Sequence, residues 1–185
     1  MVAAKKLATY ADLVALPPHV IGQIVFGTLH AHPRPAFPHA AASSALGEEL
    51  GPPFKRGKGG PGGWIILDEP ELHLGADILV PDLGGWRRTR LREIPNAAYT
   101  SLAPGCVCEV LSPSTGSLDR GDKLKVYERE QVPHVWLVDP AAKTLEVLAL
   151  DGSSYRVAEV FTEDAKVRAI PFDAIELDLS ILWAT

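Results

Sequence analysis

The chain has 185 residues, with 18 Lys and Arg against 23 Asp and Glu for a formal charge of −5. At 46% hydrophobic and 22% charged residues the composition is globular, which excludes a disordered chain and suits one domain over 1–185 with a sizeable core. The acidic balance excludes a whole-molecule basic surface for nucleic acid, though not a local basic patch.

Met1 to Leu7 opens no apolar run of the kind that starts a secretory signal, and no stretch approaches the ~18 apolar residues of a membrane span. Thr9 to Leu16 reads as a short helix, capped by Thr9 with Asp12 three residues on and stopped by Pro17-Pro18. Val20 to Phe26 and Thr28 to His32, parted by Gly27, read as a tight hairpin. Pro38 to Leu50 is an Ala-rich helix closed by Gly51, with Pro52-Pro53 beyond. Lys55 to Gly63 is glycine-rich and basic, but no Gly-Lys-Ser/Thr ends it, Pro61 interrupts it, and a strand (Trp64–Leu67) follows where a phosphate cradle needs a helix. It reads as a mobile basic loop.

Strands follow at Glu71–Leu74, Asp77–Asp82 and Cys106–Leu111. Cys106 and Cys108 point the same way from one strand, too far apart for an unstrained bridge, so a reducing, cytoplasmic setting is expected for a soluble protein with no membrane partner. Ser117 to Gln131 reads as a helix, with Gly121 costing about 1 kcal/mol of propensity against Ala, and His134–Asp139 as the next strand. That succession predicts a right-handed βαβ crossover with parallel strands. Leu145–Leu150 and Tyr155–Phe161 form a hairpin turning at Asp151-Gly152. The class is α/β (α+β), with one mixed, curved sheet. The hairpin edges need covering, and a homodimer is expected to cover them.

Two carboxylates stand in apolar company. Alternation along Cys106–Leu111 puts Cys106, Cys108 and Val110 on one face and Val107, Glu109 and Leu111 on the other, so Glu109 is the sole charge of a strand otherwise apolar on both faces. Burying an unpaired carboxylate costs several kcal/mol, so such a group is paired, protonated or metal-bound. Asp82 ends the run Ile78-Leu79-Val80-Pro81-Asp82 and shares a face with Ile78 and Val80. Each acid alone reads as well as a salt-bridged core residue or a turn cap. Together, on neighbouring core strands with a lysine nearby, they suit a divalent-cation site for phosphodiester hydrolysis: carboxylates supply hard oxygens, and a lysine stabilises charge on the phosphorus centre.

Other constellations carry less. Trp86-Arg87-Arg88-Thr89-Arg90-Leu91-Arg92 stands just after Asp82 in sequence, so Arg87, Arg88, Arg90 and Arg92, with Lys55, Arg56 and Lys58, are candidate contacts to a DNA backbone. His30 and His32 share a strand face, but no third ligand stands at a recognised spacing for zinc. Ser112, Ser114 and Thr115 read as turn and helix-start residues, and the cysteines as inert packing.

The segments Val80-Pro81-Asp82, Glu109-Val110-Leu111-Ser112-Pro113-Ser114-Thr115, Asp119 to Tyr127 and Trp136-Leu137-Val138-Asp139-Pro140 match in order and spacing a bacterial family. The chain resembles the Uma-two family of restriction-endonuclease-like proteins, a branch of the PD-(D/E)XK nuclease superfamily. That resemblance implies a restriction-endonuclease-like fold, a mixed central β-sheet flanked by helices with extra β-hairpins. It also implies DNA phosphodiester hydrolysis with Mg2+ or Mn2+. By the same resemblance Asp82 and Glu109 are the metal-binding acids, the superfamily's lysine would stand at Leu111, and its role passes to Lys123 on the following helix, with Gln23 and Tyr127 as accessory residues. Many members carry an acid where this chain has Gln23 and an Asp where it has Gly105. These departures favour an alternative, a catalytically silent nuclease fold used as a binding or assembly module.

Overall fold

A computed structural model describes residues 7–184. The chain opens with helix α1 (Tyr10–Val14), held by a complete capping box: the Thr9 side chain accepts from the Asp12 amide, and the Asp12 carboxylate accepts from the Thr9 amide at 2.8 Å. The expected hairpin follows as β1 (Val20–Val25) and β2 (Thr28–Pro33), turning on Phe26 and Gly27 at φ of 48° and 71°. Helix α2 (Phe37–Leu50) does not stop at Gly51. That glycine stays right-handed at φ −60°, and the chain runs on into one π-helical turn, Gly51–Lys55. Burial is the reason, since the turn seats Phe54 in the core, 4.8 Å from the Phe172 ring. The basic loop beyond, expected to be mobile, is folded back on this turn: the Lys58 and Gly62 amides donate to the Pro52 and Pro53 carbonyls at 2.7 and 2.8 Å.

Strands β3 (Trp64–Asp68), β4 (Glu71–Leu74) and β5 (Asp77–Leu79) come next. The run read as strand to Asp82 therefore ends early, because Pro81 offers no N–H to a ladder and the chain crosses there from one sheet to another. It re-enters as β6 (Leu83–Arg87), a strand absent from the expected elements because the pair Gly84-Gly85 reads as a turn. The glycines serve close packing: a Cβ on Gly84 would lie 2.8 Å from Pro70 Cγ and 2.9 Å from the Trp86 ring. After β7 (Tyr99–Thr100) and β8 (Cys106–Val110), the single helix expected over Ser117–Gln131 is two, α3 (Gly116–Asp119) and α4 (Asp122–Arg129). Gly121 makes the break, at φ −117° and ψ −98°, where a Cβ would sit 2.8 Å from the Ser117 carbonyl oxygen. Strand β9 (His134–Asp139) runs parallel to β8, as the crossover requires. The hairpin β10 (Thr144–Asp151) and β11 (Ser154–Thr162), the short pair β12 (Lys166–Val167) and β13 (Leu177–Asp178), and a 3-10 turn at Leu179–Leu182 complete the chain.

The fold is α+β with mixed sheets flanked by helices, but the strands do not form one curved sheet. They divide into a six-stranded sheet, β11-β10-β9-β8-β6-β3, a five-stranded sheet, β2-β1-β5-β4-β7, and the pair β12-β13. Strand β8 is buried along its whole length, and its alternation is as expected. Cys106, Cys108 and Val110 pack with Leu46 and Leu50 of α2 and with Phe172. Val107 and Leu111 face Val126 and Tyr127 of α4 and Leu72 and Leu79 of the five-stranded sheet. The six-stranded sheet thus has a core on each face, and β8 is its common wall. Among the described residues no helix is long and apolar enough to cross a membrane.

Gly121→Ala should force the Ser117 carbonyl or the helix break to shift. A loss of about 1–3 kcal/mol is expected, read as a lower denaturant midpoint at unchanged slope. An unmoved midpoint would show that this contact does not hold the break.

Candidate active site

Strand register brings the two acids together. In the antiparallel β6–β8 pair Leu83 stands opposite Cys108, so Asp82, one step outside the strand, stands opposite Glu109. Asp82 continues the ladder with its side chain, its Oδ2 accepting from the Val110 amide at 2.7 Å. That bond fixes the carboxylate at the C-terminal end of β8.

Glu109 is compensated from the crossover helices. Lys123 Nζ lies 2.7 Å from Glu109 Oε1 and 2.9 Å from Asp119 Oδ1, with all three side chains no more than 3% exposed. The Tyr127 hydroxyl donates to the same Glu109 oxygen at 2.6 Å. Lys123 thus pairs with Asp119 four residues earlier and reaches the strand as well. Leu111, at the superfamily's lysine position, is a core residue. Burial pushes the Glu109 carboxyl up to about 8; Lys123 pulls it down, while Asp119 and Asp82 add to the rise. For Lys123, burial opposes the charge, but Glu109 and Asp119 outweigh it and hold the ammonium above its usual range. One ammonium is thus shared between two acids, Glu109 and Asp119, while Asp82 is met by His39 from the other side.

These groups line a cavity of about 300 Å³ beneath the β1–β2 hairpin. Two histidines that sequence reasoning did not place there join it. His39, in the first turn of α2, sets Nε2 3.3 Å from Asp82 Oδ1. Burial lowers its basicity, but the bond to Asp82 outweighs this and the net shift is upward. His32 lines the cavity from β2, its Nε2 buried without a partner among the described residues. Its ring lies 6.5 Å from that of His30, near parallel at 15°. A second cleft of about 740 Å³ shares Asp82 and His39 with the first and follows α2 past Ser43 and Gly47 to Lys55 and Arg56.

Other expected site residues stand elsewhere or act differently. Gln23 lines the cavity, yet its Oε1 accepts from the Val80 amide at 2.9 Å, so it braces the segment carrying Asp82 and does not present that oxygen to the cavity. Gly105 is at the far end of β8 from Glu109, its absent side chain facing Trp64 at 3.5 Å. Arg87 ends β6, about 16 Å from Asp82 at ~3.3 Å per residue, and stacks 4.2 Å over the Trp64 ring. Arg88, Arg90 and Arg92 follow it away, and neither they nor Lys58 line either cavity. Sequence adjacency to Asp82 misleads here, because a strand carries the chain off. The Ser112 hydroxyl bonds those of Ser114 and Thr115, each at 3.0 Å, in the turn that leads into α3.

The family of restriction-endonuclease-like proteins is shown by comparison. The Uma2 (Uma-two) family, described as "Putative restriction endonuclease", matches residues 8–180. The chain belongs to the Uma-two family. No curated protein matches it. A similar solved structure is the crystal structure of a "putative nuclease belonging to DUF820" from Anabaena variabilis ATCC 29413, 22% identical, with a TM-score of 0.71 over 95% of this chain and 97% of that one. At that identity the likeness shows a shared fold.

The donor chemistry suits a hard divalent cation, with carboxylate oxygens from Asp82 and Glu109 lining one cavity. Among the described residues no three His, Cys, Asp or Glu side chains already surround one point as a ligand set, and Glu109 Oε1 is engaged by Lys123 and Tyr127.

In the metal-free protein, native Glu109 keeps a proton that the unfolded chain releases. Stability should therefore fall as pH rises from about 4.5 to about 8. Melting curves across that window should show the decline, and Glu109→Gln should flatten it; an equal slope in that variant would place the titration elsewhere. Lys123→Met leaves Glu109 and Asp119 without their cation and should cost about 3–5 kcal/mol, measured by denaturant titration.

Proposed function

We propose that this Uma-two protein hydrolyses DNA phosphodiester bonds at the cavity between Asp82 and Glu109, with Mg2+ or Mn2+ as cofactor. The observation that carries the reading is the β6–β8 register, which sets two acids from neighbouring strands opposite each other in one cavity. The family description and the nuclease with the same fold support it.

Asp82 and Glu109 would hold the ion. When bound, it polarises a phosphoryl oxygen and makes a coordinated water more acidic. Lys123 has three N–H donors; two serve Glu109 and Asp119, and the third can meet the phosphate, where a fixed cation stabilises developing charge. Tyr127 orients Glu109 by its hydroxyl. Lys55 and Arg56, at the end of the adjoining cleft, suit a strand's phosphates leading away from the cut.

A silent scaffold is the second reading. It is favoured by Gln23, a neutral side chain whose oxygen is committed to Val80. Cleavage decides between them. With Mg2+ or Mn2+ and plasmid or oligonucleotide DNA the wild type should cut, while Asp82→Ala and Glu109→Ala should each lose at least ~10²-fold in rate. Activity persisting in excess EDTA, or undiminished in both variants, would refute the metal mechanism. Absence of cutting by the wild type would favour the scaffold.

A further inference from the structure

We infer that the cavity seats one unpaired nucleotide, its base among apolar side chains and against His32 Nε2. The substrate is then a single strand or an unpaired stretch of DNA, and not an intact duplex. The inference rests on hydrolysis at Asp82 and Glu109 as proposed above and adds to it the form of the DNA.

Depth is the first constraint. Glu109 and Lys123 are each 1% exposed and line the cavity under the β1–β2 hairpin, so the group they act on has to come in to them. A volume of about 300 Å³ equals a cube about 7 Å on edge, whereas the major groove of a duplex alone is about 12 Å wide. A base pair held in its stack does not fit there. A strand without a partner can turn one nucleotide inwards, since it has the least pairing and stacking to give up.

The walls match a base in kind. Ile21 and Pro33 come from the hairpin, Pro35 from the segment after it, Val80 from the approach to Asp82, and Pro113 from the turn after β8. Three of the five are prolines, whose fixed φ keeps the walls stiff. Apolar walls suit the face of an aromatic ring, and pockets of this kind take their orientation from a few polar atoms.

His32 supplies such an atom. It lines the cavity from β2, and its Nε2 is buried with no partner among the described residues. A buried nitrogen left unpaired is a standing cost, which the edge of a bound base would remove. Burial lowers the basicity of this ring, His30 and Lys123 lower it further, and Asp119 opposes them. The imidazole is thus a neutral donor and acceptor, suited to a base edge and not to a phosphate. Charge for the backbone stands at the rim instead. Arg34 lines the cavity with its side chain 65% exposed, 3.8 Å from Glu69, and can meet the phosphate next to the seated nucleotide.

The test is binding by the full chain with Ca2+ in place of Mg2+, followed by fluorescence anisotropy at one fixed salt concentration. A labelled single-stranded oligonucleotide should bind at least ~10-fold tighter than the same sequence as a blunt duplex, and tighter than an abasic strand of equal length. His32→Leu should weaken single-strand binding at least ~5-fold. Ile21→Trp, which fills the cavity, should weaken it more. Duplex bound as tightly as the single strand, or cut with Mn2+ at paired positions as fast, overturns the inference and leaves hydrolysis at Asp82 and Glu109 standing. An abasic strand bound as tightly as the natural one also overturns it, since the backbone alone would then be held. Unchanged single-strand affinity in both variants seats the base elsewhere, with the same result. No DNA bound or cut in any form removes both readings together. Should either variant fail to fold, the wild-type comparison of natural strand, abasic strand and duplex decides alone.

Discussion

A carboxylate in the middle of a sheet must be paid for, and Glu109 organises much of the molecule around that cost. Strand β8 is buried on both faces, and Glu109 is 1% exposed. An unpaired charge there would cost several kcal/mol, and the fold answers with Lys123 and Tyr127 from α4 and Asp119 from α3. Those three lie within nine positions of one another in sequence but on two helices, because the chain breaks at Gly121. A buried lysine needs its own anions, which is why Asp119 is as enclosed as its partners. The crossover that links β8 to β9 therefore supplies the counter-charge for the strand it leaves.

The remaining elements complete the site from other directions. The six-stranded sheet carries Glu109 on one strand and ends its neighbour at Asp82. Helix α2 brings His39, and the β1–β2 hairpin roofs the cavity with Gln23 and His32. No single segment contains the site; it exists where two sheets and helices from two faces converge.

Much of this was legible in the residues, and the exceptions have physical causes. The capping box, both hairpins and the parallel crossover rest on local signals that tertiary packing leaves alone. Alternation along Cys106–Leu111 sufficed to mark Glu109 as a charge needing company. Strand β6 was hidden because its glycines, chosen for contact with Pro70 and Trp86, look like a turn. The break at Gly121 was hidden because propensity alone counts a helical glycine as a modest penalty. His39 was invisible, since one histidine on a helix has no spacing to betray it, and its partner lies 43 positions away in sequence (82 − 39). The arginines after Asp82 erred the other way: near in sequence, they are carried off by the strand between.

Asp82 has one further property, which is mechanical. It sits on the seam where the chain passes from the five-stranded sheet to the six-stranded one, between β5 and β6. Gln23 clamps that seam at Val80 from the hairpin side, and Asp82 itself clamps it to Val110 from the other. The carboxylate is thus a strut between two slabs. If the slabs shear, the strain falls on Pro81, between the clamps at Val80 and Asp82, while the register of β6 with β8 keeps the two acids opposite each other.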